Sequence, residues 1–194
     1  MNRNGLEWKH LRMEQLDRSH LDDLVTVSME TDFTWMSRPL FCKDDVARYI
    51  ENSISKANED SGEMFVIRLN RSSEIVGITG FLEIDRWHRK FEIGGTWLSR
   101  KVWGTFVNPE SKFILLKLAF DEWNATRIQF VTDENNVHSA NAILKLGATF
   151  EGILRHHKIR LNGLPRNSMI FSIIENEWPR VKRDLLERLN SFEE

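Results

Sequence analysis

Apolar positions along this chain change their spacing several times, and each change marks a new element. Leu11–Met13 reads as a short first strand. After Ser19, whose hydroxyl suits a helix N-cap, Leu21, Leu24, Val25 and Val27 recur at helical spacing. Val46, Ala47, Ile50 and Ile54 then line one side of a second amphipathic helix, Asp44–Ala57. Between the two lies Phe33-Thr34-Trp35-Met36-Ser37-Arg38-Pro39, an aromatic-rich connection with a proline stop. Glu63–Leu69 and Glu74–Ile84 are strand-like runs joined by a polar turn at Asn70–Ser73. The charged turn Asp85–Lys90 leads into a further strand around Glu92.

The period changes again in the second half. Lys112–Trp123 carries Phe113, Leu116, Leu118 and Phe120 in a helix-like pattern, and Arg127–Val131 is a β-branched and aromatic strand. Asn136–Leu146 reads as a helix with Gly147 as its left-handed stop. Glu151–Arg160 and Asn167–Ile174 form a hairpin around Asn162-Gly163, and Trp178-Pro179 opens a last helix through Leu189. Strands alternating with helices place the chain in the mixed α/β class. No repeat, low-complexity stretch or linker interrupts it, so one domain over residues 1–194 is expected.

Composition narrows the classes of function. A chain with 41% hydrophobic and 29% charged residues is long enough for one substantial core. A net charge of -2 and a pI near 6.3 give no electrostatic footprint for a nucleic-acid partner. Cys42 is the one cysteine, which fits a reducing compartment and has no neighbouring histidine in sequence to activate it. Met1–His10 is polar, and no apolar run approaches the ~18 residues that span a bilayer. A soluble, cytoplasmic protein without a membrane partner is therefore expected. His88 and His138 lack metal-binding spacing, so no metal is expected. There is no G-x-S-x-G elbow and no Walker sequence. The seven tryptophans suit either a pocket or ordinary core packing.

The segment with most chemical content runs from Phe91 to Gly152. Its loop Lys101–Asn108 opens onto a helix with Asn108 as N-cap, Pro109 at the first position and Glu110 near the positive end of the dipole. Backbone N–H groups at such a start, approached through Gly104, form an anion site. Lys101 adds positive charge and Thr105 a hydroxyl donor. The same residues also suit a plain strand–helix loop with a good cap.

EIGGTWL, KVWGTFVN-PESK and DENNVHSANAILKLGATFEG, in that order, resemble the core of the GNAT superfamily of N-acetyltransferases. They are most similar to the branch containing the ribosomal-protein N-terminal (alanine/serine) acetyltransferases. The resemblance extends from RME-Q-L-D-RSHLDDL to NEWPRVKRDLLERL. It implies a mixed, mostly antiparallel sheet flanked by helices and splayed between two central strands, with acetyl-CoA in the gap as co-substrate. Cofactor contacts are then implied at Trp97, Leu98, Lys101, Val102, Trp103, Gly104, Thr105, Phe106, Asn108, Asn136 and Ser139. Phe106 departs from the pattern, which has a small residue there. If that position needs φ > 0, a phenylalanine is strained by about 1 kcal/mol or more, and its ring would crowd the pyrophosphate.

Roles for the reacting groups follow from the same resemblance. Asn136 matches a residue that hydrogen-bonds the pantetheine arm, and Ser139 one that approaches the sulfur and protonates the departing thiolate. Asn135 or Asn136 acting as a cap, with Ser139 solvated, is the plainer alternative. Tyr49, the one tyrosine, lies in the second helix and so leaves Ser139 as the better candidate. Glu92 matches a general base used by several members, and a structural hydrogen bond across the sheet suits it equally. His157, or His156, is a second candidate base, with one of the two facing the cleft. The glutamate of the ribosomal enzymes in the region of Lys158 is absent, so catalysis could rest on holding a neutral amine against the thioester. Trp35, Glu83 and Trp87 suit an amine acceptor with an apolar body. The expected activity is direct acetyl transfer from acetyl-CoA to a primary amine, either a protein N-terminus or a small molecule. A non-catalytic CoA sensor or interaction module is the alternative, and homodimers are common in the branch.

Overall fold

The structure, a computed structural model, describes residues 6–36 and 39–192. Its centre is an eight-stranded sheet of order β1-β2-β3-β4-β5-β6-β8-β7. The strands are β1 (Leu6–Glu7), β2 (Leu11–Gln15), β3 (Glu63–Leu69), β4 (Ile75–Asp85), β5 (Lys90–Leu98), β6 (Arg127–Asp133), β7 (Thr149–Ile159) and β8 (Pro165–Ile174). Every neighbouring pair is antiparallel except β5 and β6. The α-helices are α1 (Leu21–Met29), α2 (Lys43–Asn58), α3 (Val107–Lys117), α4 (Val137–Leu144) and α5 (Trp178–Asn190). Among the described residues no helix is long and apolar enough to cross a membrane.

Strand alternation divides the core between the two faces of the sheet. On β3, Met64 and Val66 join Ile78 and Trp97 beneath Leu24 and Val27 of α1 and Val46 and Ile50 of α2. The intervening Phe65 and Ile67 join Phe81, Phe91, Ile93, Phe130 and Phe171 against α3 and α5. Helices α1 and α2 thus stand over the β2–β5 part of their face. The β5–β6–β8 part of that face instead carries Glu92, Gln129, Asp133, Arg166, Ser168 and Ser172, related by register.

The feature that positions the site is an interrupted ladder. β5 and β6 pair only at Lys90↔Arg127, Phe91↔Ile128 and Glu92↔Gln129. Beyond Glu92, β5 bonds to β4 alone and β6 to β8 alone, so a notch opens between them. A register irregularity opposite Ile78–Gly80, with Gly95 at φ +60, keeps β5 with β4 as the notch begins. The expected splayed, mixed sheet is the observed one.

Several expected boundaries move. Asp17, not Ser19, supplies the first cap: its Oδ1 accepts from Ser19 N at 2.7 Å, and a 3₁₀ turn Arg18–His20 precedes α1. Asn108 is not the N-cap of α3. The helix begins at Val107 after Phe106, and Asn108 lies in the first turn, where a proline at 109 still removes no helical bond. The expected helix Lys112–Trp123 is α-helical only to Lys117. Leu118–Glu122 then forms a π turn in which Trp123 N reaches Leu118 O at 3.0 Å. Of the aromatic connection, Ser37 and Arg38 lie outside the described residues.

Candidate active site

The loop after β5 and the start of α3 border the open end of the notch. Gly104 takes φ +77, and nothing lies within 4 Å of where its Cβ would be. The N–H groups of Gly104, Phe106 and Asn108 have no partner among the described residues, while Thr105 N and Val107 N are bonded within the loop. Three free donors at a helix start suit an anion such as a pyrophosphate. That is the test for acetyl-CoA in this chain, and the residues fit it.

Two side chains expected to help are engaged elsewhere. Lys101 Nζ pairs with Glu30 Oε1 at 2.5 Å, and Thr105 Oγ1 donates to Val102 O at 2.7 Å. The free donors of this loop are therefore backbone groups. Phe106 is unstrained, with φ -63, so the left-handed conformation considered for it is absent. Its ring packs on His10, with centroids 4.5 Å apart, and against the core. Glu110 does not simply face the dipole. It is fully buried, accepts from His10 N at 2.8 Å and Leu11 N at 3.0 Å, and so fastens α3 to the start of β2.

Trp97 and Leu98 are core side chains, and only their backbone could border the notch. Val102 also packs inward. Trp103 stacks on His138 at 5.7 Å, which joins the loop after β5 to the beginning of α4 after β6. On that second loop Asn136 caps α4, its Oδ1 accepting from Ser139 N at 3.0 Å. The capping alternative thus holds for Asn136, yet its amide Nδ2 and the Ser139 hydroxyl have no partner among the described residues.

At the closed end of the notch, Glu83, Glu92 and Gln129 stand side by side on β4, β5 and β6. They border a hollow with Lys90, Phe91 and Arg127. Glu92 is 7% exposed and accepts from Gln129 Nε2 at 3.1 Å. Burial raises its pKa above the ordinary carboxylate value, against the opposing pull of Gln129, Lys158 and Arg166. His157 shares this neighbourhood: burial, then Lys158 and Arg166, lower its pKa, while Glu83 opposes them. His156 instead sits at φ +51 in a β7 irregularity, its N–H donated to Asn167 Oδ1. Of the proposed acceptor aromatics, Trp87 is 90% exposed on the β4–β5 turn, without a ring partner among the described residues, and Trp35 is 41% exposed. Neither indole is among the residues that line the hollow beside Glu92.

Two buried cations escape the sequence reading. Lys112 Nζ donates to Thr79 Oγ1 and Thr96 Oγ1, each at 2.7 Å, and burial pulls its pKa down to about 7. Its sequence signal is a lysine inside an apolar helical run. Arg166, on β8, has no such signal, because nothing local shows which face of a hairpin strand is covered.

The family described as acetyltransferase (GNAT) domain matches residues 10–149. An uncharacterised N-acetyltransferase, YoaA of Bacillus subtilis (strain 168), is 27% identical over 150 residues, covering 70% of this chain and 84% of its own. A putative acetyltransferase from T. thermophilus superimposes with a TM-score of 0.84 at 29% identity, over 95% of this chain and 96% of that one. A ribosomal L7/L12 α-N-protein acetyltransferase solved with coenzyme A superimposes with a TM-score of 0.78 at 17% identity, over 88% and 98%. The family match over residues 10–149, with which the sheet opening and the free backbone donors at α3 agree, makes this chain a member of the GNAT family, an acetyl-CoA-dependent N-acetyltransferase.

Proposed function

We propose that the enzyme transfers acetyl directly from acetyl-CoA to a primary amine, a small molecule or a protein N-terminus, with Glu92 as general base. The observation that carries this reading is the notch itself: free backbone donors at its open end and a buried carboxylate at its closed end. The N–H groups of Gly104, Phe106 and Asn108 hold the pyrophosphate, and the Asn136 amide reaches the pantetheine arm. Acetyl-CoA supplies an activated acyl group, and the amine nitrogen forms the new C–N bond as the C–S bond breaks. Glu92, whose pKa is raised by burial, takes the amine's proton, and Ser139 donates to the thiolate. His157, its pKa lowered by burial and the cations beside it, is the second candidate for the proton.

The sequence resemblance to the ribosomal-protein branch supports a protein N-terminus, and the absence near Lys158 of the glutamate that this resemblance implies supports a small amine. Of the two motives for the non-catalytic alternative, Phe106 and an unassigned base, the first falls away because the Phe106 ring packs on His10. The test is release of CoA from acetyl-CoA across a panel of amines and N-terminal peptides. Acceptor-dependent release supports the proposal, and its absence across the panel, with acetyl-CoA bound, would reject it.

A further inference from the structure

A buried arginine whose side chain has no hydrogen-bond partner among the described residues lies on the same face of the sheet as the candidate base. Arg166 is 8% exposed, and its Nε is sealed from solvent without a hydrogen-bond partner among the described residues. The nearest carboxylate oxygen, Asp133 Oδ2, is 3.8 Å from Nε, too long for a hydrogen bond. Asp133 is already occupied. Arg160 Nε reaches its Oδ2 at 2.8 Å and Arg160 Nη2 its Oδ1 at 2.9 Å, while Asn135 N donates to Oδ1 at 2.9 Å. Ser168, two residues along on the same strand face, is fully buried, and its Oγ also lacks a hydrogen-bond partner among the described residues. A guanidinium stays charged, and a buried charge is retained where something completes it.

The charges in electrostatic reach of Glu92 come from two flanks. Glu83 and Glu92 come from β4 and β5, and Lys158 and Arg166 come from β7 and β8. Glu92 is within electrostatic reach of Lys158, Arg166 and Glu83, and His157 is within reach of the same three. This layout complements a molecule with an ammonium at one end and an anionic oxygen group at the other. We propose that Arg166 binds the carboxylate of a small amino-carboxylate acceptor, whose amine is thereby presented to Glu92. The planar fork of the guanidinium matches a carboxylate in two parallel bonds. The inference deepens the acetyl-transfer reading and rests on its placing the acceptor on this face.

The test needs no turnover. The full chain is titrated, by thermal shift, with the N-acetyl derivatives of the twenty amino acids and with the corresponding C-terminal amides. At least one acid is expected to bind tenfold or more tightly than its amide, and Arg166→Met is expected to erase that difference while Arg166→Lys keeps part of it. Acetyl-CoA binding by Arg166→Met, unchanged from wild type, shows that the variant is folded. If that variant fails to fold, the wild-type comparison of acid with amide decides alone. Equal binding of acids and amides, no binding by any acid, or undiminished binding by Arg166→Met overturns the proposal. Preference for peptides with a blocked C-terminus would overturn it too. Loss of acetyl-CoA binding by the wild type would instead strike the acetyl-transfer reading.

Discussion

Single residues here carry opposed requirements. Glu92 is buried enough to hold its proton more tightly folded than unfolded, so its ionisation opposes folding. That penalty is absent below the ordinary value of 4.5 and fully present above the raised folded value. Glu92→Gln should therefore melt at or above wild type at pH 7–8, with the difference fading towards pH 4. The same variant should lose about 10²-fold or more in kcat/KM, along with the ascending limb of its pH profile. Wild-type kcat/KM in this variant would pass the base role to His157. Lys112 shows the sign for a base. Its folded pKa of about 7 lies below the ordinary value of 10.5, so the folded protein holds fewer protons between those limits and gains stability as pH rises through them. Melting of Lys112→Met at pH 7 and 9 should show less of that gain. An equal gain would place the titration elsewhere. Neither pull is legible in sequence: Glu92 is named by its motif, but Gln129 and Arg166 reach it only through strand pairing.

At the scale of elements, α3 shows what patterning can and cannot convey. Its existence follows from Phe113 and Leu116 at helical spacing, and the β3 boundaries Glu63–Leu69 follow from a β-rich run between polar turns. The start of α3 is displaced because Phe106 and Val107 carry no cap signal, while Asn108-Pro109 carries a strong one. The free N–H row depends on that start. Asn108→Pro removes one donor at a first-turn position that tolerates proline. Acetyl-CoA affinity should fall about tenfold, the loss of one charge-assisted hydrogen bond, with the melting temperature nearly unchanged. Unaltered affinity by calorimetry would move the pyrophosphate off this helix. Phe106→Gly tests the other half of the argument. Because the ring is packed on His10 and the backbone is unstrained, the variant should lose about 2 kcal/mol, or roughly 4–8 °C, and bind acetyl-CoA no more tightly. Tighter binding would restore the idea that the ring crowds the cradle.

Across the whole molecule, function follows from where one ladder stops. Three residue pairs hold β5 to β6, and the remaining lengths part so that two loops, two helix starts and the polar sheet face meet around one opening. Alternation along each strand makes the strands readable, and the motif order implies their arrangement. No local pattern encodes the point at which pairing ends, because Gly94 and Gly95 act through β4 on the neighbouring strand. Nor does the sequence reveal that Trp87 stays on an exposed turn while Arg166 turns inward, since both depend on what covers each face. The measurement closest to the central claim is the thermal shift of the intact chain with acetyl-CoA. At 100 times Kd, acetyl-CoA should stabilise the fold by about 2.7 kcal/mol, or roughly 5–10 °C, and Asn108→Pro should need about tenfold more for the same shift. An unmoved melting temperature at millimolar acetyl-CoA would contradict the assignment of this opening to the cofactor.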